Sequence, residues 1–153
     1  MLLCPIKGQS RVSQEFGKNP KMYKQFGMKG HNGIDIAVPV GTPVYAPMDG
    51  IAKVINSKDE GYGLHVKLRN AFKALEVTEA HLSEVVVTNG QKVMTGDIIG
   101  YSGNSGYSTG AHLHESVRRL VESSKDVWSW TVKDRTNGYS GAFDHSEFII
   151  NWQ

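Results

Sequence analysis

The sequence predicts a mainly β, single-domain protein, built on an antiparallel sheet or sandwich with long loops that form a groove. Short runs of β-branched or alternating residues recur along the chain, and Gly, Pro and Asn bound them. Little of the chain shows helical periodicity. A length of 153 residues fits one domain, residues 1–153. At this size roughly 68–70% of the unfolded chain's surface can be buried, which is enough for an independent core.

The predicted elements follow one another with turns between them. Residues 29–33 carry two glycines and an asparagine and predict a loop, after which Ile34 starts an alternating strand. Asn89-Gly90 predicts a turn, and the polar tail over 121–138 predicts a loop or late hairpin beside the groove. The remaining strands are expected over residues 43–46, 50–56, 64–68, 72–80 (with less regular alternation), 98–99 and 113–118.

Two histidines close the segment Ser-Thr-Gly-Ala-His112-Leu-His114. Leu113 and Val117 share one parity, which favours a half-buried strand. On a strand, the two imidazoles point to the same face about 6–7 Å apart, whereas a helix would splay them. One imidazole can therefore bind a metal while the other reaches a water molecule or a substrate.

Far upstream, His31 and Asp35 lie four residues apart in Gly-His-Asn-Gly-Ile-Asp. The glycines indicate a loop rather than one face of a helix, so His31 is expected on the loop and Asp35 at the start of a strand. The helical H-E-x-x-H arrangement is absent from the chain. Taken alone, such a pair is more often a simple hydrogen-bonded contact in a turn.

A further histidine, His81, opens the segment His-Leu-Ser. With the two pairs above, it completes a set of five residues that could supply three metal ligands and two spare imidazoles. Zinc-dependent hydrolysis needs three protein ligands, an open position for water, and groups that manage protons and charge. The five residues match that inventory.

Over residues 28–118 the chain resembles the lysostaphin-type (LytM-like) zinc endopeptidases. The order, spacing and flanking glycines of several motifs agree with that family. The matching motifs are His31-Asn-Gly-Ile-Asp35, Val40-Gly-Thr-Pro-Val-Tyr-Ala46, Asp49-Gly-Ile-Ala-Lys-Val54, His81-Leu-Ser83, Gly90-Gln-Lys-Val-Met-Thr-Gly-Asp-Ile-Ile-Gly100, Gly103-Asn-Ser-Gly106 and Ser108-Thr-Gly-Ala-His-Leu-His114.

The resemblance implies that His31, Asp35 and His114 bind one Zn²⁺ per chain and that His81 and His112 are the catalytic histidines. The groove formed by the loops would then surround the zinc site. The family hydrolyses peptide bonds in the stems or cross-bridges of bacterial peptidoglycan. A zinc ion so held would lower the pKa of a water molecule and polarise the scissile carbonyl, while the two histidines handle protons.

Two positions depart from the family pattern. The family usually has an aromatic residue after the His-x-His pair, where this chain has Glu115, and a small polar residue where it has His65. Glu115 shares the parity of Leu113, away from the metal face, so altered packing rather than altered chemistry is expected. His65 and His145 fall in no motif and are expected to be structural.

Composition excludes several other function classes. Lys and Arg total 17 and Asp and Glu total 15, so the net charge of +2 suits approach to an anionic wall but does not indicate nucleic-acid binding. No stretch approaches the 18 apolar residues of a membrane span. The glycine-rich segment 100–110 lacks Gly-Lys-Ser/Thr and is not a phosphate loop. Cys4 has no visible base nearby in the sequence and is not expected to be a nucleophile. The protein is expected to be a monomer.

The start of the chain carries no recognisable signal peptide, because its apolar run is short and Lys7 follows at once. Segments 11–20 and 137–141 look like those of phage or prophage members of the family. The expectation is therefore a lytic enzyme made in the cytoplasm of an infected host, which reaches the wall after release or with the virion. A trimmed piece of an exported protein would look the same.

Two other functions stay open. The same fold could grip peptidoglycan or regulate another hydrolase without cutting, or it could be a zinc D,D-carboxypeptidase or amidase. Trp128 and Trp130 share strand parity, and either stacking on substrate or packing in the core or at the rim is open to them.

Overall fold

The computed structural model describes residues 1–153 and contains thirteen short strands and very little helix. The strands are β1 (Leu2–Leu3), β2 (Arg11–Gln14), β3 (Ile34–Ala37), β4 (Pro43–Tyr45), β5 (Gly50–Asn56), β6 (Leu64–Asn70), β7 (Leu75–Ala80), β8 (Leu82–Val85), β9 (Lys92–Val93), β10 (Ile98–Ser102), β11 (Leu113–Val121), β12 (Thr131–Val132) and β13 (Ile149–Ile150). The helical segments are α1 (Pro20–Tyr23) and the 3₁₀ turns Lys24–Phe26, Val127–Ser129 and Ser146–Phe148.

One large antiparallel sheet carries the fold, in the order β2-β3-β11-β7-β6-β5-β9, with β12 paired to β11. A smaller antiparallel sheet joins β4, β10 and β8. Only the short pair β1 and β13 is parallel. The prediction of a mainly β, single-domain protein built on antiparallel sheets is confirmed.

Alternation along the long central strand β11 separates two chemical environments. Leu113 and Val117 point into a core of 19 buried apolar residues that lies between the two sheets and the terminal strands. His114, Ser116 and Arg118 have the opposite parity and point to the other face of the large sheet. The catalytic candidates and the apolar core therefore lie on opposite faces of the same strand.

The strand bounds differ from the expected ones where local turns intervene. β7 begins at Leu75 and not at residue 72, because residues 71–74 form a turn that closes with Ala74 in the left-handed region (φ 51°). β6 and β11 run further than their alternation predicted, since each has a hydrogen-bonded neighbour on both sides.

A short helical segment between β2 and β3 was not predicted. Pro20 lies at the first turn of α1, a position that needs no backbone N–H donor, and Gly27 ends the following 3₁₀ turn with φ 70°. This segment covers one side of the groove. None of the helices is long or apolar enough to cross a membrane.

Candidate functional site

His31, Asp35 and His114 meet at one point on the polar face of the large sheet. Asp35 on β3 is the direct cross-strand partner of His114 on β11, and His31 lies on the loop before β3. Both His31 Nε2 and His114 Nδ1 lie 3.0 Å from Asp35 Oδ1, and the two nitrogens are 2.9 Å apart. The pairing of β3 with β11 thus joins two residues that are far apart in sequence.

Backbone carbonyls determine how three of the histidines present their nitrogens. His31 Nδ1 lies 3.1 Å from the Glu15 carbonyl, His81 Nδ1 lies 2.7 Å from that of Ser105, and His112 Nδ1 lies 2.7 Å from that of Gly110. A carbonyl can only accept, so each Nδ1 carries the proton in the neutral ring. Each Nε2 then keeps its lone pair.

His114 has the reverse orientation. Its Nδ1 faces Asp35 and His31, and its Nε2 is buried without a hydrogen-bond partner. Tyr62 stacks on this ring with centroids 5.2 Å apart, and on another side a Cβ added at Gly33 would lie 2.6 Å from His114 Cε1. The ring is therefore held by packing, and the glycine makes its close approach to the loop possible.

His81 and His112 lie together beside this cluster. Their ring centroids are 4.8 Å apart, and His112 Nε2 is 3.6 Å from Asp35 Oδ1. His81 is the single residue between β7 and β8, and its backbone lies in the left-handed region with φ 59°. A non-glycine residue held there is typical of functional sites.

Burial favours the neutral form of two site imidazoles, those of His81 and His114. Burial, followed by the charges of its histidine neighbours, lowers the pKa of His81 to about 4. Burial also lowers the pKa of His114 to about 4, although Asp35 opposes it. For Asp35, burial acts to raise the pKa, but the hydrogen bonds with His114 and His31 outweigh it and lower the pKa well below its ordinary value.

The donor set fits a metal ion. One nitrogen from each of His31 and His114 and one oxygen of Asp35 lie within 4.8 Å of one another. In a tetrahedral site with bonds of about 2.0–2.1 Å, ligand atoms are roughly 3.3 Å apart, close to the spacing seen here. The unpartnered Nε2 of His114 is also consistent with a neutral ring whose Nδ1 is free to bind a metal.

A cavity of about 390 Å³ opens over the cluster. Tyr23 and Phe26 from the helical segment and Tyr107 from the loop before β11 line one side of it, and Tyr62 and Arg118 line another. Phe26 and Tyr107 meet edge to face, with centroids 5.1 Å apart, so the two loops touch. The predicted groove formed by loops is therefore present over Asp35, His81, His112 and His114, and His31 lies buried beneath them.

A hydrogen-bonded network beneath the cavity was not predicted from the sequence. The Tyr62 hydroxyl accepts from Asn32 Nδ2 at 2.8 Å and from Arg118 Nη2 at 3.0 Å. Arg118 shares the parity of His112 and His114 on β11, so alternation along that strand was a signal that could have identified it. Asn32 lies inside the motif His31-Asn-Gly-Ile-Asp35 without an assigned role, and Tyr62 carried no comparable signal.

The two residues that depart from the family pattern do not enter the metal cluster. Glu115 is fully buried on the core side, where its Oε1 lies 2.9 Å from Nε2 of the fully buried His145. His65 Nδ1 lies 2.9 Å from the Gly63 carbonyl, and the His65 ring packs against Tyr62. The side chains of Glu115, His145 and His65 thus make contacts that stabilise local structure.

The two tryptophans do not line the cavity. Trp130 is buried in a small second cluster with Leu120, Val127 and Val132, and Trp128 stacks under the guanidinium of Arg69 at 4.7 Å. They occupy a 3₁₀ turn and its end, so strand parity does not apply to them. Of the two alternatives, packing is the one the structure shows.

Comparison with known proteins agrees with this geometry. Residues 29–127 match the model of peptidase family M23. The chain belongs to peptidase family M23. Its metal-compatible cluster and both additional histidines lie inside the matched residues.

Several named proteins are similar to this M23 chain. The DD-carboxypeptidase/endopeptidase Mpg of Neisseria meningitidis serogroup B is 39% identical over 111 residues, which are 71% of this chain and 24% of Mpg. The catalytic domain of the prophage-encoded M23 protein EnpA from Enterococcus faecalis has 32% identity and a TM-score of 0.63, covering 75% of this chain and 87% of that one. A zinc containing peptidase from Vibrio cholerae has 30% identity and a TM-score of 0.62, covering 74% and 35%. The chain spans about a quarter of the length of the curated relatives it matches.

Proposed function

We propose that this M23 chain is a zinc-dependent endopeptidase that hydrolyses peptide bonds in the stems or cross-bridges of bacterial peptidoglycan. The observation that carries the proposal is the convergence of two imidazole nitrogens and a carboxylate oxygen within 4.8 Å, under an open cavity with two more histidines. Similarity to the peptidoglycan DD-endopeptidase ShyA of Vibrio cholerae, 37% identical over 111 residues that are 72% of this chain and 25% of ShyA, supports the substrate. Similarity to a zinc containing peptidase supports the metal.

In this proposal His31, Asp35 and His114 hold one Zn²⁺. Two neutral imidazoles and one carboxylate leave a single net positive charge, and a bound zinc ion would supply an activated water molecule and polarise the scissile carbonyl. Asp35 keeps its negative charge at neutral pH in spite of its burial, because the hydrogen bonds with His114 and His31 lower its pKa. Glu15 orients His31 through its backbone carbonyl, which directs Nε2 toward the metal.

His81 and His112 are proposed as the residues that handle protons. The Nδ1 of each is held by a backbone carbonyl, so the Nε2 atoms are left to face the cavity. A neutral imidazole can accept a proton from water during attack and, once charged, can stabilise the oxyanion and later donate to the leaving amine. The lowered pKa of His81 ensures that its ring starts neutral at pH 7.

A D,D-carboxypeptidase is the second candidate activity, because the name of Mpg includes both activities. A non-cutting module is disfavoured, since none of the five candidate groups is replaced and they lie together around one cluster. An amidase is separated from these activities only by its products.

We further propose a phage or prophage origin and a monomeric state. The similarity to prophage-encoded EnpA supports the origin. Neighbouring genes for a holin or for virion proteins would support this setting, whereas an export signal in the complete reading frame would contradict it. Gel filtration that gives a mass near 16.9 kDa would support a monomer.

The test combines metal analysis with product analysis. The purified protein, dialysed after zinc loading, should hold about one zinc per chain, and chelation should remove the metal and the activity together. Digests of purified walls of several chemotypes, examined by mass spectrometry, should show new amines inside stems or cross-bridges. A released terminal D-Ala alone would indicate a carboxypeptidase. Hydrolysis of the amide bond between the lactyl group and the stem peptide would indicate an amidase. A protein that binds no zinc would overturn the proposed site.

A further inference from the structure

Arg118 lies on the same face of β11 as His114, four residues further along the strand. Its side chain is nearly buried, yet it lines the same cavity as Asp35, His81, His112 and His114. A buried guanidinium in a cavity is costly unless its charge and its N–H groups are matched. Arg118 therefore needs hydrogen-bond acceptors and a negative charge, from the protein or from a ligand.

The protein satisfies three of the five N–H groups of this guanidinium. Nε donates to the Ser140 carbonyl at 2.9 Å, Nη1 to Ser116 Oγ at 3.1 Å, and Nη2 to the Tyr62 hydroxyl at 3.0 Å. A guanidinium has two N–H groups on each terminal nitrogen, so one donor on Nη1 and one on Nη2 remain. None of its three partners is an anion.

The carboxylate nearest to Arg118 is already shared. Glu76 Oε2 lies 2.7 Å from Arg69 Nη2, and Glu76 Oε1 lies 3.4 Å from Lys67 Nζ and 3.8 Å from Arg118 Nη1. Burial acts to raise the pKa of Glu76, but the three cations outweigh it and lower that pKa. One negative charge therefore faces three positive ones, and the excess positive charge lies beside the cavity.

The position of this charge relative to the metal cluster suits a substrate group. The bond from Nη1 to Ser116 holds the guanidinium near the level of Ser116, whose Cα lies about 6–7 Å along β11 from that of His114. The bond from Nη2 to the Tyr62 hydroxyl also holds it beside the tyrosine ring that stacks on His114 at 5.2 Å. In a peptide, the carboxylate of the residue after a cleaved bond is three bonds from the cleaved carbonyl carbon, or about 3–4 Å. A charge-assisted hydrogen bond of about 2.8 Å covers the remainder.

We propose that Arg118 is a specificity-determining residue that binds the carboxylate on the α-carbon of the leaving amine. This inference rests on the proposed function and deepens it by naming the substrate class. The preferred substrates are peptide bonds in which the leaving residue keeps a free α-carboxylate. These include a terminal D-Ala-D-Ala and a D-Ala cross-link to the D-centre of diaminopimelate. Glycyl-glycine bonds in the interior of a cross-bridge lack that carboxylate.

The test compares matched substrates that differ only in this carboxylate. One pair is a peptide ending in D-Ala-D-Ala and its C-terminal amide, and the other is a D-Ala–diaminopimelate cross-linked dimer with that carboxylate free or amidated. We expect kcat/KM of the zinc-loaded enzyme to favour the free acid by roughly 10- to 100-fold in at least one pair, as for a hydrogen bond to a charged group. An interior glycyl-glycine peptide is measured alongside them.

Variants separate recognition from structural support. Arg118→Met should reduce the acid-to-amide ratio to near one while it retains cleavage of the amide. Arg118→Lys keeps the positive charge but loses the paired N–H donors of the guanidinium, so it should leave an intermediate acid-to-amide ratio. This variant replaces Arg118→Met in the test if the methionine variant does not fold. Lys67→Met removes a neighbouring cation that does not line the cavity, so its ratio should stay within about twofold of the parent.

The possible failures are distinguishable. Equal rates on acid and amide, preference for glycyl-glycine, or equal losses on both members of a pair in the Arg118 variants would overturn the role of Arg118 while leaving a peptidoglycan endopeptidase. No cleavage of any wall or peptide by the zinc-loaded protein would overturn the proposed function, and this inference with it.

Discussion

At the residue scale, the site depends on which nitrogen of each imidazole is tied to the backbone. Three histidines donate Nδ1–H to a carbonyl and present Nε2, and His114 alone presents Nδ1. His114 Nδ1 is 3.0 Å from Asp35 Oδ1, whereas His112 Nε2 is 3.6 Å away. The two neighbours on the His-x-His segment are thus inequivalent, and this difference underlies their proposed roles.

The first prediction separates ligands from catalysts. His81→Ala and His112→Ala should keep zinc and fold while the rate falls by ~10²–10⁴, the usual range for a positioned acid or base. His114→Ala should lose zinc, and activity with it. The measurement is zinc stoichiometry beside the wall-digestion rate for each variant. Loss of metal in His112→Ala with retention in His114→Ala would reverse the assignment.

The second prediction concerns the glycine that faces the His114 ring. In Gly33→Ala, the new methyl group would clash with the backbone carbonyl of Glu115 and lie 2.6 Å from His114 Cε1, so the loop must shift away from β11 and from this ring. We expect a loss of about 1–3 kcal/mol in the free energy of unfolding and a lower zinc occupancy. Gly110→Ala is the control, because a Cβ there meets no atom within 4 Å. Equal zinc content and stability in both variants would contradict this account.

The five site candidates could be predicted because each lies in a short motif whose spacing is visible in the sequence. Tyr62, Asn32 and Arg118 were missed as a set, because their network joins a loop, a second loop and the far part of β11. The pairing of β3 with β11 brings Asn32 to this strand, and the pairing of β6 with β7 and of β7 with β11 brings the loop of Tyr62 to it. The orientation of each imidazole was also beyond the sequence, since it depends on carbonyls of distant residues.

At the element scale, local pattern predicted a strand well when the strand had a regular alternation bounded by turn residues. β5 occupies Gly50–Asn56 as expected. Two-residue strands such as β9 and β13 have no such pattern, and they form only because a neighbouring strand offers hydrogen bonds. The helical segment at Pro20–Tyr23 is too short for helical periodicity to reveal it.

The third prediction tests how the C-terminal segment is attached to β11. His145, which precedes the last 3₁₀ turn, pairs with Glu115 in full burial. Breaking a buried pair leaves an uncompensated charge, so His145→Ala should lower the free energy of unfolding by about 3 kcal/mol or more. Zinc content should be unchanged in the folded variant. The exposed Glu147→Ala serves as the control, with an expected change within about 0.5 kcal/mol.

The same pair has a defined pH dependence. Burial acts to lower the pKa of His145, but the hydrogen bond and charge of Glu115 outweigh it and raise the pKa. Because the pKa of His145 is higher in the folded state, its contribution to the free energy of unfolding is complete below the ordinary histidine pKa of ~6.5. That contribution is lost as the pH rises through the pKa of His145 in the folded protein. The stability difference between the parent and His145→Ala, measured by urea unfolding in excess zinc, should therefore shrink above pH 7. A difference that grows with pH would contradict it.

At the scale of the whole molecule, the polar face of the large sheet carries the site and the other face carries the core. The strand order that achieves this is non-local, since β11 lies between β3 and β7. Neither the order nor the closure by β1 and β13 could be read from short-range pattern, because both depend on contacts between distant residues. Binary alternation nevertheless predicted which side of β11 carries the metal-compatible cluster.

The last prediction concerns the coupling of pH, zinc and global stability. The pKa values of His81 and His114 are lowered to about 4, whereas histidines in the unfolded chain titrate near ~6.5. The unfolded state then binds more protons between these values, so the free energy of unfolding of the zinc-free protein should fall as pH drops from about 6.5 to 4. Glu79, whose pKa burial raises, contributes with the opposite sign, so the slope is compared with that of His114→Ala, which should be shallower.

Zinc at about 100 times its Kd should add about 2.7 kcal/mol to the free energy of unfolding at pH 7.5. This increment should disappear toward pH 4, together with activity, as protons displace the metal. Thermal unfolding with and without zinc across this range measures both effects. Full turnover at pH 4, or a zinc-free His114→Ala variant whose stability falls on acidification as steeply as that of the parent, would show that buried neutral histidines do not govern the site.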